Sequence, residues 1–319
     1  MDRKLIAILL IAIILIVSTP LLAIQFLSAP PSTDSNDFIQ KAPQTEGVRF
    51  IENVLPIDTA KYNITLKKPI PSLDNNVTYT ERYLLQNPKN TLEIDFTYKN
   101  NILQFSNTYV MNGSILLKDK YQSNVDVALD FLEKYQNYSK LDASQLINLL
   151  QEVNSSENRT LTSGNLTLAI SNAEFPQGTQ TNSFMWTYVL DGCEYTRLSL
   201  SLNNGTFDGF GDSRALYSIG NTTVVVSMKQ AVDIAKERSK SYSYEMPGGV
   251  WIKDFNVSYT SAELRSSTRE PYVLHPYWHV RLFLDKQYPG SVTNLLVDVW
   301  ADNGEVFFCY HDSMGHKDY

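Results

Sequence analysis

Histidine and cysteine are the residue types with which this chain could do chemistry, and it holds four of the first and two of the second. His275 and His279 have the four-residue spacing that brings two imidazoles to one metal on a helix. Pro276 and the neighbouring aromatic residues make this stretch a strand, where four residues span about 13 Å and the two rings cannot chelate together. His311, Asp312, His316 and Asp318 form a second donor set close to the C-terminus, either a divalent-cation site or a solvated polar tail. Cys193 and Cys309 fall one in each half of the chain. Bonded, they would tie the halves together and stabilise by about 4 to 5 kcal/mol in the chain-entropy view. Unbonded, they would pack as two small hydrophobes.

Two glycine-rich matches add little. Asp208-Gly209-Phe210-Gly211-Asp212 has the look of a calcium-loop fragment, but a single copy lacks the stacked oxygens such loops need and reads as a turn. Phe210-Gly211-Asp212-Ser213 echoes a serine-nucleophile block, whose chemistry also needs a histidine, supplied in that class with aspartate three residues before it. No histidine here is placed that way. Gly-x-Ser-x-Gly, Ser-x-x-Lys and a phosphate loop ending in Gly-Lys are absent from the sequence. The reading is therefore a protein that is not an enzyme, with no catalytic residue, no cofactor and no metal ligand assigned.

Composition bounds the rest. The chain has 319 residues, 43% hydrophobic and 19% charged, enough apolar content for about two packed domains. A net charge of -7 argues against a nucleic-acid partner, because phosphate contacts need clustered Lys and Arg. Two cysteines exclude a disulfide-dense scaffold and a four-cysteine zinc site.

The N-terminus places the chain at a membrane. Residues 5–27 are predominantly apolar and would make about 34 Å of helix, enough to span a bilayer. Neither Ala23 nor Ala29 has a small residue two positions earlier, so a cleaved, secreted form is the alternative and an uncleaved signal-anchor the expectation. Arg3 and Lys4 keep the short N-terminus in the cytoplasm, with the bulk of the chain extracytoplasmic. Ten Asn-X-Ser/Thr acceptors fit an exported glycoprotein: Asn63, Asn76, Asn112, Asn137, Asn154, Asn158, Asn165, Asn204, Asn221 and Asn256. Many acceptors with few cysteines fit an archaeal cell surface.

Beyond the anchor the pattern is α+β. Residues 28–47, with Pro30, Pro31 and Pro43, read as a stalk. From Val48 the chain turns β-rich: Leu92, Ile94, Phe96 and Tyr98 alternate, Asn100-Asn101 turns, and Ile102 to Val110 returns. Val125, Ala128, Leu129, Leu132 and Tyr135 have helical spacing, and a second helix follows around Leu146 to Val153. Strands then cover Leu166 to Phe175, Met185 to Leu190 and Arg197 to Leu202, before the turn at Asn203-Asn204-Gly205.

The order then restarts. Ala128-Leu129-Asp130-Phe131 recurs as Ala231-Val232-Asp233-Ile234, and Asn172-Ala173-Glu174-Phe175 as Ser261-Ala262-Glu263-Leu264. Trp186-Thr187-Tyr188-Val189 recurs as Trp278-His279-Val280-Arg281, one residue out of register, and Asn203-Asn204-Gly205 as Asp302-Asn303-Gly304. Four matches in one order predict tandem units, each a helix packed on a curled antiparallel sheet. The expected organisation is a transmembrane helix at 1–27, the stalk at 28–47, a β-rich segment plus first unit at 48–220, and a second unit at 221–319. The Asn100-Asn101 hairpin reads as the tail of a degraded third copy.

The second unit resembles a PepSY domain. The residues that carry the resemblance are Ser227 to Lys236, Pro276-Tyr277-Trp278-His279-Val280, and Val297 to Val306, over the stretch Val226 to Tyr310. Trp300 and Asn303 depart from the family's pattern, which commonly has Asp and Thr there. The resemblance implies a binding or inhibitory module and brings no catalytic residues with it. The expected function is a non-catalytic membrane-anchored protein that binds a protein or peptide, an extracellular peptidase or another cell-envelope partner. The alternative is a metal-dependent surface hydrolase using the C-terminal histidines.

Overall fold

The computed structural model describes residues 40–41, 45–67, 70–71, 78–153, 157–175 and 178–313. The fold is α+β, with four α-helices among the described residues and sheets that are almost wholly antiparallel. The strands of the first sheet are β1 (Gln40–Lys41), β2 (Asn63–Leu66), β3 (Ile70–Pro71), β4 (Thr78–Gln86), β5 (Thr91–Lys99), β6 (Ile102–Asn112), β7 (Arg159–Ser163), β8 (Leu166–Glu174), β9 (Gln180–Leu190), β10 (Cys193–Asn203) and β11 (Thr206–Asp212). They lie in the order β1-β2-β4-β5-β6-β11-β10-β9-β8-β7, with β3 paired to β4. Two meanders meet where β6 pairs with β11 over three positions, Asn107 with Gly209, Ser106 with Phe210 and Phe105 with Gly211. The glycines are required there, since a Cβ on Gly209 would stand 2.9 Å from Ser201 Oγ and one on Gly211 3.1 Å from Ser199 Oγ.

Helices α1 (Glu46–Asn53), α2 (Asn124–Ser139) and α3 (Ser144–Gln151) share one core with this sheet. Leu92, Ile94, Phe96 and Tyr98 supply the buried side of β5, as their alternation requires. Phe50 of α1, Phe131 and Tyr135 of α2 and Phe210 of β11 form an aromatic cluster with centroids 4.7 to 6.3 Å apart. Asn100-Asn101, Asp191-Gly192 and Asn204-Gly205 all have positive φ at two-residue hairpin loops, the geometry that matches strand twist.

The second sheet is built from β12 (Ser218–Ile219), β15 (Val257–Glu270), β16 (Val273–Tyr288), β17 (Val292–Trp300) and β18 (Val306–Ser313), with β16 central and β18 at one edge. A small hairpin, β13 (Tyr244–Met246) with β14 (Val250–Ile252), precedes it. Helix α4 (Met228–Lys240) buries Ala231 and Ala235 against Trp278, Val280, Leu282, Val297 and Val299. Ser123 caps α2 with Asp126, and Ser227 caps α4 with Gln230, so both helices begin with the same reciprocal capping box. The two runs share an order: a helix, then a four-strand meander, β8 to β11 in one and β15 to β18 in the other. In each, a buried tryptophan donates its indole N–H to a backbone carbonyl, Trp186 to Leu146 and Trp278 to Val226.

Several expectations need correction. The stalk does not reach residue 47: Thr45 caps α1, and Gly47, Val48, Phe50 and Ile51 are buried in it, where β-structure was expected from Val48. Cys193 and Cys309 are both free, so of the two readings open from the sequence the structure has the unbonded one. Cys193 is buried with Tyr195 and Leu274 where the two sheets meet, whereas Cys309 packs on the α4 side of the second sheet, so they belong to different clusters. Among the described residues no helix is long and apolar enough to cross a membrane, and the expected span at 5–27 lies outside those residues.

Candidate functional site

One face of the second sheet carries α4, and the register assembles the other from four rungs. Tyr259, Phe283, Asn294 and Asp312 form the first; Ser261, Arg281, Leu296 and Tyr310 the second. Glu263, His279, Asp298 and Phe308 form the third; Arg265, Tyr277 and Trp300 the fourth, completed by Phe307, which stacks on Trp300 at 4.1 Å. Although no helix among the described residues covers this face, Asn294, Leu296, Asp298 and Trp300 of β17 are all less than a tenth exposed. Long side chains provide part of that cover, since Tyr277 and Phe307 flank Trp300 and the Arg269 guanidinium lies 5.1 Å from its ring centre.

A polar pair sits in the third rung. His279 Nδ1 donates to Asp298 Oδ1 at 2.7 Å, both residues buried. Beside it Arg265 Nε donates to Glu263 Oε2 at 2.9 Å, and Arg269 bridges Asp302 and Glu305. Burial pushes the Tyr277 hydroxyl up to about 12, with the Asp298 charge adding and Arg265 opposing. Burial also raises Tyr310, helped by Asp298 and Asp312 and opposed by Arg265 and Arg281.

A carboxylate on one ring nitrogen orients an imidazole as it would for base catalysis. Among the described residues, however, no hydroxyl or thiol is hydrogen-bonded to the other nitrogen of His279, so no nucleophile is set against it. Tyrosine, tryptophan and arginine are packed around this buried polar centre, and these residue types are enriched where proteins bind one another.

The sequence singled out other residues, and the structure disperses them. His275 and His279 lie on the same face of β16, each with its own carboxylate, Glu270 and Asp298. His311 is not in a solvated tail: it lies within β18, where its Nδ1 is 2.8 Å from Tyr242 Oη and its ring packs on Tyr244 at 4.3 Å. Asp312, the next residue on the strand, projects to the opposite face, so the pair does not converge. His316 and Asp318 lie outside the described residues. The Asp208-to-Asp212 stretch is strand β11 rather than a turn or loop. Asp208 accepts from Ser201 Oγ on the open face, while Asp212 is buried against Tyr135 and Arg214. Ser213 Oγ bonds the Arg197 backbone. Asn63, Asn112, Asn137, Asn158, Asn165, Asn204, Asn221 and Asn256 are exposed, and Asn76 and Asn154 lie outside the described residues. Sequence reasoning missed Asp298, Arg265, Arg281 and Asn294; alternation within Val292–Trp300 was the available signal, but both faces of that strand are buried.

No family model matches the chain, and no curated protein matches it. Among solved structures the chain is similar to the Bacillus megaterium YpeB C-terminal domain, at 10% identity and a TM-score of 0.34, over 85% of this chain and 98% of that one. A likeness that distant carries no argument about fold or function.

Proposed function

We propose that this chain is a membrane-anchored, extracytoplasmic binding protein that performs no chemistry itself and captures a protein or peptide partner on the helix-free face of β15 to β18. The observation that carries this reading is the composition of that face: four rungs of His, Asp, Arg, Tyr, Phe and Trp on a sheet whose other side is already filled by α4. The PepSY resemblance of residues 226–310 supports a binding module and makes an extracellular peptidase the first partner class to test. The two helix-and-meander runs are read as repeats of one unit, of which only the second kept a recognition surface. None of the eight exposed glycosylation acceptors stands in the four rungs, and Asn256, three residues before Tyr259, lies nearest to them in sequence. In the alternative of a metal-dependent hydrolase, two of the four C-terminal donors, His311 and Asp312, project to opposite faces of β18, and His316 and Asp318 lie outside the described residues.

The test is crosslinking and capture from native membranes with paired variants. Tyr259 and Phe308 are more than half exposed, so Tyr259→Ser with Phe308→Ser should leave folding intact and abolish capture. Phe105→Ser with Met111→Ser, equally exposed on the first sheet, should leave capture unchanged. Undiminished capture by the first pair would overturn the reading.

A further inference from the structure

The helix-free face is not uniform along its length. Around Trp300 the charged groups are paired, Arg265 with Glu263 and Arg269 with Asp302 and Glu305, and His279 is hydrogen-bonded to Asp298, although Asp302 Oδ1 is buried without a hydrogen-bond partner. In the two rungs nearer Tyr259, two charged groups and one buried acceptor are left over. Among the described residues, Arg281 makes no ion pair; its guanidinium lies 5.8 Å from the centre of the Phe283 ring. Asp312 makes none either. Asn294 stands between them in the sheet, 9% exposed, and its Oδ1 is buried without a hydrogen-bond partner. Buried acceptors in native proteins are nearly always satisfied, and an orphan in a recognition face points to a donor that arrives with the ligand.

The register fixes the layout of these groups. Arg281 faces Leu296 across β16 and β17, and Tyr310 across β18; one rung along, Phe283 faces Asn294 and then Asp312. A cation on β16 and an anion on β18 thus stand two strand spacings across and one rung along from each other, about 12 Å, with Asn294 on the strand between them. Leu296, 5% exposed, supplies an apolar floor. Tyr259, 60% exposed and stacked on Phe283 at 3.9 Å, supplies an aromatic wall.

A guanidinium takes a carboxylate in a bidentate pair, an amide oxygen and a carboxylate take N–H groups, and the floor and wall take an apolar side chain. The terminal residue of a peptide brings a carboxylate, an adjacent N–H and a side chain at one fixed spacing. We infer that Arg281, Asn294 and Asp312 form a site for the C-terminal residue of a peptide. Its carboxylate pairs with Arg281, the Asn294 amide turns outward so that its Oδ1 accepts the backbone N–H, the preceding N–H turns toward Asp312, and its apolar side chain lies on Leu296 against Phe283. The inference rests on the reading of this face as the binding surface.

The test uses purified full-length protein and two random hexapeptide libraries, one with free C-terminal carboxylates and one amidated. Retention should be at least tenfold higher for the free-acid library, and Arg281→Met should reduce it to the amidated level. Asn294→Leu removes the orphaned oxygen, so it should melt no lower than the parent protein and still lose retention, a combination a purely structural asparagine would not give. Equal retention of the two libraries, retention of neither, or full retention by Arg281→Met overturns the site. Retention of amidated peptides selected for internal Asp or Glu would replace the terminus with an internal acidic segment and also overturn it. Native-partner capture that Phe308→Ser abolishes and Arg281→Met leaves intact refutes this site alone; capture untouched by either refutes the face as well.

Discussion

The open faces of the two meanders occupy the same place in the same order of elements, and they are filled with opposite chemistry. In the first, the rungs read Ser171-Ser183-Ser201-Gly209 and Ala169-Met185-Ser199-Gly211. In the second they read Glu263-His279-Asp298-Phe308 and Ser261-Arg281-Leu296-Tyr310. Small hydroxyls and glycines serve a surface that lets β6 approach β11 and is otherwise solvated. Bulky polar and aromatic groups build a further layer, at the expense of burying His279, Asp298 and Asn294. What the difference teaches is that the helix-facing side of each meander sets the fold, while the other side is free to vary and is where function can be written.

If that contrast is right, the largest difference between the faces is energetic. Trp300→Ala, which removes a 4% exposed indole stacked on Phe307, should destabilise by about 3 to 5 kcal/mol. Ser199→Ala on the first face should cost under about 0.5 kcal/mol. Denaturant titration of the two variants checks this, and equal costs would mean that the second face is as loosely built as the first. Next in size is thiol reactivity, which asks whether packing or a covalent link joins the regions. Burial pushes the Cys193 thiol up to about 11, cutting its thiolate fraction at pH 8 about a hundredfold, so folded protein should resist alkylation there. After unfolding without reductant both cysteines should take the label by mass spectrometry; a joined Cys193–Cys309 peptide would contradict the account.

Smaller effects test single groups. Asp298→Ala leaves His279 Nδ1 buried without its acceptor and should cost about 1 to 3 kcal/mol. On the first face, burial raises the Asp208 carboxyl above its ordinary range, against the Ser201 hydrogen bond. The folded state therefore holds that proton more tightly than the unfolded chain, and ionised Asp208 disfavours folding at neutral pH. Asp208→Asn should raise the melting temperature slightly at pH 7. The gain should disappear below about pH 4, where the parent residue is protonated in both states.

Much of the fold was legible in the sequence because its signals are local. Leu92, Ile94, Phe96 and Tyr98 alternate on one half-buried strand, and Val125 to Tyr135 carries a helical stripe. The eight-residue α1 was not legible: its apolar side is three or four residues beside a proline-rich stretch, too short for a period to register. The site was legible only in part. His279 was visible as a histidine on a strand, but its partner Asp298 lies nineteen residues away on the neighbouring strand, and only the register joins them. Val292–Trp300 is buried on both faces, so its pattern lacks the alternation that would have separated Asn294, Leu296 and Asp298 from the core. His311 was misread as tail because β18 extends further toward the C-terminus than its turn signals indicate.

The central claim is that recognition belongs to the helix-free face of the second sheet and not to that of the first. A photoreactive phenylalanine analogue at Tyr310, compared with the same analogue at Phe105, tests it most directly when each protein is irradiated in native membranes. The account predicts a discrete crosslinked adduct from position 310 and none from position 105. Adducts from 105 alone, or equally from both, would contradict it.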